Sequence, residues 1–201
     1  MNTVVDKFVD IQPGDIVIVN NWDGNVFSRL IRFFAHSWSH TAVGFFPLVG
    51  DVSRRSTVFE ANLTVGVTDW QTTFYGPQYD LRVYRWRDRT EVDNMCWALY
   101  AMYNANTYGF AQLLWFVWRW IVEGLRLPKR WARKNFFLNK EICTEVVYVG
   151  LRLMHNPVVD ALLDLEGRDQ NTVHPGDIDD VCRALVERAT LDVVYERVRV
   201  R

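Results

Sequence analysis

Cysteine is scarce in this chain: Cys96, Cys143 and Cys182 are the three among 201 residues. They are odd in number, widely spaced and free of any Cys-x-x-Cys pair, which opposes a disulfide framework and a zinc site and suits a reducing compartment. An excess of charge of one sign is also missing. Lys+Arg 23 against Asp+Glu 24 leaves a net charge of -1, so no global field draws nucleic acid, and no nucleic-acid partner is expected. No cofactor and no metal are expected either. The first ten residues lack a basic region followed by a long apolar run, so no secretory signal is expected. The longest apolar stretch, within 108–125, is shorter than the roughly 20 residues of a membrane span and carries Arg119 near its middle, so no transmembrane span is expected. Internal repeats, low-complexity tracts and linkers are absent. With 49% hydrophobic residues the chain can bury a full core, and a single domain over 1–201 follows.

What is present alternates between short strands and helices, an α+β pattern. Gln12-Pro-Gly-Asp15 reads as a turn and Ile16-Val-Ile-Val19 as a β-branched strand buried on both faces. Asn25 is positioned to cap a helix that ends near Ser37. Ser39 to Phe46 is a strand in which His40, Ala42, Gly44 and Phe46 share one face. Residues 47–55 form a connection, and 56–61 return as a strand carrying Glu60 beside Val58. A carboxylate on an apolar face needs a partner, and the preceding strand supplies His40. Residues 65–68 and 81–86 add two strands to a meander, the second alternating apolar and basic as a half-exposed strand does. A helix begins at Thr90, with Met95, Cys96, Leu99, Met102 and Tyr103 on its buried side.

Residues 108–138 form a helical insert in which Trp115, Trp118 and Trp120 precede Arg130 and Lys134, joining an aromatic surface to a basic one. It is read as a membrane-surface or protein contact, or as a cover over the core with solvated charges. Next, Asn139 can cap a helix marked by Ile142, Val146, Val149 and Leu153. Cys143 sits in its first turn, where the positive end of the helix dipole favours a thiolate. Residues 158–165 form a helix or turn, His174-Pro-Gly-Asp177 caps a helix through about Ala189 that contains Cys182, and 191–200 close the chain as a strand. Cys96 and Cys182, in helix interiors, read as core, and His174 as a surface residue.

The ordered set Gly14-Asp-Ile-Val-Ile-Val19, Ser39-His40-Thr-Ala-Val-Gly44, Val58-Phe-Glu60-Ala61 and Cys143-Thr-Glu-Val-Val-Tyr148 resembles the circularly permuted papain-like cysteine hydrolases of the NlpC superfamily. That branch also holds the lecithin:retinol acyltransferase-like proteins. The resemblance extends to His174-Pro-Gly-Asp-Ile178 and implies a permuted papain-like fold, a small antiparallel sheet or barrel packed against the helix that bears the nucleophile. It implies Cys143 as nucleophile, His40 as its base and Glu60 as the residue orienting the imidazole. Through the same likeness Tyr108, Asp15 and Asn20 are candidates for the substrate pocket. The physical requirement agrees, because an imidazole needs an acceptor on its second nitrogen to present the right tautomer to a thiol.

The function implied is a cysteine hydrolase, an amidase or peptidase acting through an acyl-enzyme on a peptide such as a peptidoglycan stem peptide. A lipid acyl hydrolase or acyltransferase is the alternative within the branch. Outside enzymes, nine tryptophans keep open a binding or assembly module of a cell-wall-directed or phage-type particle. Localisation is accordingly cytoplasmic or virion-associated.

Overall fold

The computed structural model describes residues 10–22, 38–46, 56–61, 65–74, 79–103, 143–165 and 173–198. Its strands are β1 (Ile16–Asn21), β2 (His40–Phe45), β3 (Thr57–Ala61), β4 (Val65–Asp69), β5 (Tyr79–Trp86) and β6 (Leu191–Arg197). Its helices are α1 (Trp70–Phe74), α2 (Val92–Tyr103), α3 (Cys143–Leu153), α4 (Pro157–Leu165) and α5 (Pro175–Glu187). The strands form one antiparallel six-stranded sheet in the order β4-β3-β2-β1-β5-β6. Strands β1 to β4 make the expected meander, and β5 then returns to the free side of β1. Of the two expected forms, sheet or barrel, the described strands form a sheet, with β4 and β6 at its edges.

The continuously apolar β1 is buried on both faces, as its composition predicts. Ile16 and Ile18 enter a core with Val43, Phe59, Leu99, Val147, Leu151 and Leu185 on the helix side. Val17 and Val19 face the other way and meet Ala42, Val58, Leu81 and Val83 beneath Trp70 and Phe74 of α1. Each such side chain contributes about 1.5–3 kcal/mol when fully buried, so the central strands β1 and β2 are fixed from two sides. That rigidity matters because the candidate site hangs on the end of β2.

The opposite end of β2 is pinned by the turn the sequence announced. Asp15 N–H donates to Gln12 O at 3.1 Å across the turn, and Gly14 takes φ +81°, the left-handed value that its third position requires. Gly44 sits against this turn: a Cβ there would stand 2.0 Å from the carbonyl oxygen of Gln12, which is backbone and cannot swing away. Gly44→Ala is therefore expected to lower the unfolding free energy by on the order of 3 kcal/mol. Gly150→Ala should cost less, because its nearest contact, at 3.1 Å, is the flexible end of Leu99. Urea midpoints at unchanged slope measure both.

Three expectations need correcting. Strand β5 is not half-exposed: Arg82 is buried and bound at 2.6 Å to Asp179 of α5 and to Glu196 of β6. Asp179 also accepts from Tyr84 Oη at 2.6 Å and Trp38 Nε1 at 3.1 Å. The apolar-basic alternation looks the same whether the cations meet water or a carboxylate supplied by a distant helix. The helix expected from Thr90 begins at Val92, since the Thr90 N–H and hydroxyl both bond to Asp88, and Met102, expected on its buried side, is exposed. The short helix α1 was not expected at all. The helix near 25–37, the 47–55 connection, Asn139 and the 108–138 insert with Trp115, Trp118, Trp120, Arg130 and Lys134 lie outside the described residues.

Candidate active site

Ser39 N–H donates to Val19 O at 2.9 Å, and β2 opens immediately afterwards with His40 paired to Val19. On the next strand Glu60 is the register partner of Ala42, two residues along from His40 and therefore on the same face. This diagonal pair meets: His40 Nε2 lies 2.7 Å from Glu60 Oε2. The other carboxylate oxygen accepts from the Thr68 hydroxyl of β4 at 2.7 Å. Glu60 is thus satisfied on both oxygens, which is what allows a carboxylate to stay 1% exposed. The ring of Phe74, from α1, lies 5.6 Å from the imidazole and tilts against it.

The helix that approaches from the other side of β2 is α3. Val146, Val147 and Leu151 are buried in the helix-side core, and Gly150 lets α3 close on Leu99 of α2. Its start is tied down by the Thr144 hydroxyl, which donates to Val173 O at 3.0 Å just before α5. Cys143 is the first residue of α3 and is buried. Its thiol and the His40 imidazole lie close enough for each to shift the other's titration. Since Glu60 holds Nε2, Nδ1 is the nitrogen left for the sulfur. More than a hundred residues of sequence therefore close on a Cys143-His40-Glu60 row.

The charges in this row support one another. Burial opposes a thiolate at Cys143, but the attraction and hydrogen bond of His40, joined by Thr41, outweigh it and hold the thiol below its usual pKa. Burial likewise opposes an imidazolium, yet Cys143 and then Glu60 raise the pKa of His40 to about 10. Glu60, against its own burial, is held below the usual carboxylate range by His40 and Thr68. Both shifts favour an anionic sulfur beside a cationic ring. The other two thiols differ: burial pushes Cys96 up to about 12 and Cys182 well above the ordinary thiol value.

Of the expected pocket residues, Tyr108 lies outside the described residues. Asp15 is not at the site. Its carbonyl accepts from Gly44 N–H, four residues along β2 from His40, a separation of about 13 Å at the rise of a strand. Its carboxylate is bound to Arg85 at 2.7 Å and caps Gln12 N–H at 2.8 Å. Burial raises its pKa against the opposing pull of Arg85 and Arg89. Asn20 stands next to the Val19-His40 pair but on the other face of β1, and its amide donates to Asp80 of β5 at 3.3 Å. His174, expected as a surface residue, is the N-cap of α5 in a reciprocal capping box with Asp177.

Three neighbours were missed in the sequence: Thr68 behind Glu60, Phe74 over His40, and Thr41 against the sulfur. Strand alternation placed Thr68 on the face of Glu60, because Glu60 pairs with Gly66 two residues earlier. Nothing in the sequence announced α1, and so nothing announced Phe74.

Among solved structures, the chain is similar to the metalloprotein YiiX from Escherichia coli O157:H7, of DUF1105. The TM-score is 0.58 at 18% identity, over 95% of this chain and 100% of that one. At this identity the likeness is one of fold, an α+β arrangement over most of the chain. No family model matches the sequence, and no curated protein does.

Proposed function

We propose that the protein is a cysteine hydrolase that cleaves an acyl bond through a thioester on Cys143. The observation that carries this reading is the imidazole of His40 held between a buried thiol and a buried carboxylate. The thiolate attacks the substrate carbonyl carbon, and the charge that leaves sulfur collects on the carbonyl oxygen. The Cys143 N–H at the start of α3 is a donor for that oxyanion, with the helix dipole behind it. The His40 imidazolium gives its Nδ1 proton to the leaving group as the carbon-heteroatom bond breaks. Neutral His40 then takes a proton from water, whose oxygen attacks the thioester, releasing the carboxylic acid and returning the thiolate.

An imidazolium retained to about pH 10 supports an amide substrate, since an amine must be protonated to leave and a thiolate need not. The resemblance to the permuted NlpC-type hydrolases supports the same reading. YiiX is named a metalloprotein, but among the described residues no three His, Cys, Asp or Glu side chains converge as a metal site. The lipid-acyl and docking readings rest on residues 108–138, outside the described residues.

The test is competitive labelling of the native protein with iodoacetamide at neutral pH, followed by peptide mass spectrometry. Cys143 is expected to be modified first, with Cys96 and Cys182 protected by their raised pKa values and complete burial. Equal labelling of the three, or none at Cys143, would count against an activated nucleophile.

A further inference from the structure

We infer that α5 is a brace across the site, tying the entry of α3 through Val173 O and the entry of β2 through the Asp179 carboxylate, and so setting where Cys143 and His40 meet. This rests on the proposed roles of those two residues. The Thr144 hydroxyl, next to Cys143 in the chain, donates to Val173 O at 3.0 Å. The Trp38 indole N–H, two residues ahead of His40, donates to Asp179 Oδ2 at 3.1 Å. One acceptor stands just before α5 and the other in it, and the reciprocal capping box of His174 and Asp177 fixes the turn between them.

The hold on Trp38 is directional. Arg82 lies over its ring, 5.1 Å from the centroid, and Arg82 also binds Asp179, so the indole is fixed by its edge and its face. Between Trp38 and His40, Ser39 is bonded to β1 through its N–H to Val19 O and through its Oγ, which accepts from Asn21 N–H at 3.0 Å. The imidazole thus hangs from a segment pinned at every residue: Trp38 to α5, Ser39 to β1 and His40 to Glu60. The packing of α3 on β2 is apolar, and apolar contact has no direction, so it does not by itself fix a separation. A misplacement of about 1 Å between reacting groups costs on the order of a hundredfold in rate. A buried ion pair such as Arg82-Asp179 is weak as a source of stability, because apolar side chains often serve as well there. What it supplies is a fixed geometry, and Trp38, Asp179 and Thr144 are positioning residues.

The experiment is the pH dependence of Cys143 alkylation by iodoacetamide in the full-length wild type, Trp38→Phe and Tyr84→Phe. Phenylalanine at 38 keeps an aromatic face beneath Arg82 and removes the N–H to Asp179. Phenylalanine at 84 removes a different hydrogen bond to the same carboxylate, from a strand that carries neither reacting group, so it loosens the cluster without cutting the tie to β2. The charged groups of the site, His40 and Glu60, and those of the cluster, Arg82, Asp179, Arg183 and Glu196, stay in place in every variant. Trp38→Phe should slow alkylation at neutral pH about tenfold and move the midpoint upward, with the alkaline plateau unchanged, because the imidazolium shifts away from the sulfur. Tyr84→Phe should keep the wild-type profile. Should Trp38→Phe fail to fold, Thr144→Val cuts the other tie and is expected to move the midpoint the same way. A wild-type midpoint at the ordinary thiol value overturns the hydrolase reading itself. A depressed wild-type midpoint that the Trp38 and Thr144 variants leave unchanged, or that Tyr84→Phe raises as far, overturns this inference alone.

Discussion

His40→Ala should reduce kcat/KM by about a thousandfold or more, since it removes both the proton donor to the leaving group and the charge that favours the thiolate. Without the imidazole, the burial of Cys143 is no longer outweighed, and its pKa should rise toward and past the ordinary thiol value. Alkylation at neutral pH should slow with it, which separates this outcome from simple loss of substrate binding. The variant should also differ in how stability varies with pH. A proton on His40 is bound more tightly in the folded chain than in the unfolded one, so its contribution is fully present below about 6.5, the ordinary imidazole pKa. It then fades as pH rises toward about 10. The lowered thiol runs the opposite way: its contribution is present above the ordinary thiol value and lost as pH falls through the lowered one. The ion pair is whole between these limits, and the rate should plateau there, falling on the acid side with the thiolate and near pH 10 with the imidazolium. An unchanged rate in the alanine variant would remove His40 from the mechanism.

Glu60→Gln should lower turnover by about a hundredfold, less than loss of the base but far more than a surface change would cause. The amide keeps the size of the carboxylate and an oxygen for His40 Nε2, while its NH2 faces the Thr68 hydroxyl, which can turn to accept. Packing is preserved and the charge is lost. The pKa of His40 should fall and that of Cys143 rise, narrowing the plateau from both sides. In the wild type, Glu60 is held below the carboxylate range in the folded state. Its contribution to stability is therefore present above the ordinary glutamate value and lost as pH falls through the lowered one. The glutamine variant should lack that acid slope. Chemical denaturation across the acid range, with turnover measured in parallel, checks both parts; a variant with wild-type rates would leave Glu60 a structural acid.

The candidate site was readable in the sequence where short-range rules act on residues of unusual chemistry. A histidine and a glutamate, each on the apolar face of a short strand, need each other, and alternation placed them on the same side. A cysteine at the head of an amphipathic helix is likewise local information. What alternation cannot reveal is the partner brought by a distant element. Arg82 and Arg85 read as exposed cations of β5, yet Asp179 and Glu196 bury one and Asp15 pairs with the other. Asp15 drew attention through a likeness of its motif to those of hydrolases, whereas its partner Arg85, seventy residues on, makes it a turn clamp. Thr41 was overlooked for a different reason: threonine is common in strands, and only the fold shows that its hydroxyl lacks an ordinary acceptor among the described residues.

Ionisation of Cys143 beside His40 is tested most directly by the ultraviolet absorbance of the thiolate, titrated as the difference between wild type and Cys143→Ser. A thiolate signal should already be present at neutral pH, with a midpoint below the ordinary thiol value. A signal that appears only at or above that value would contradict it.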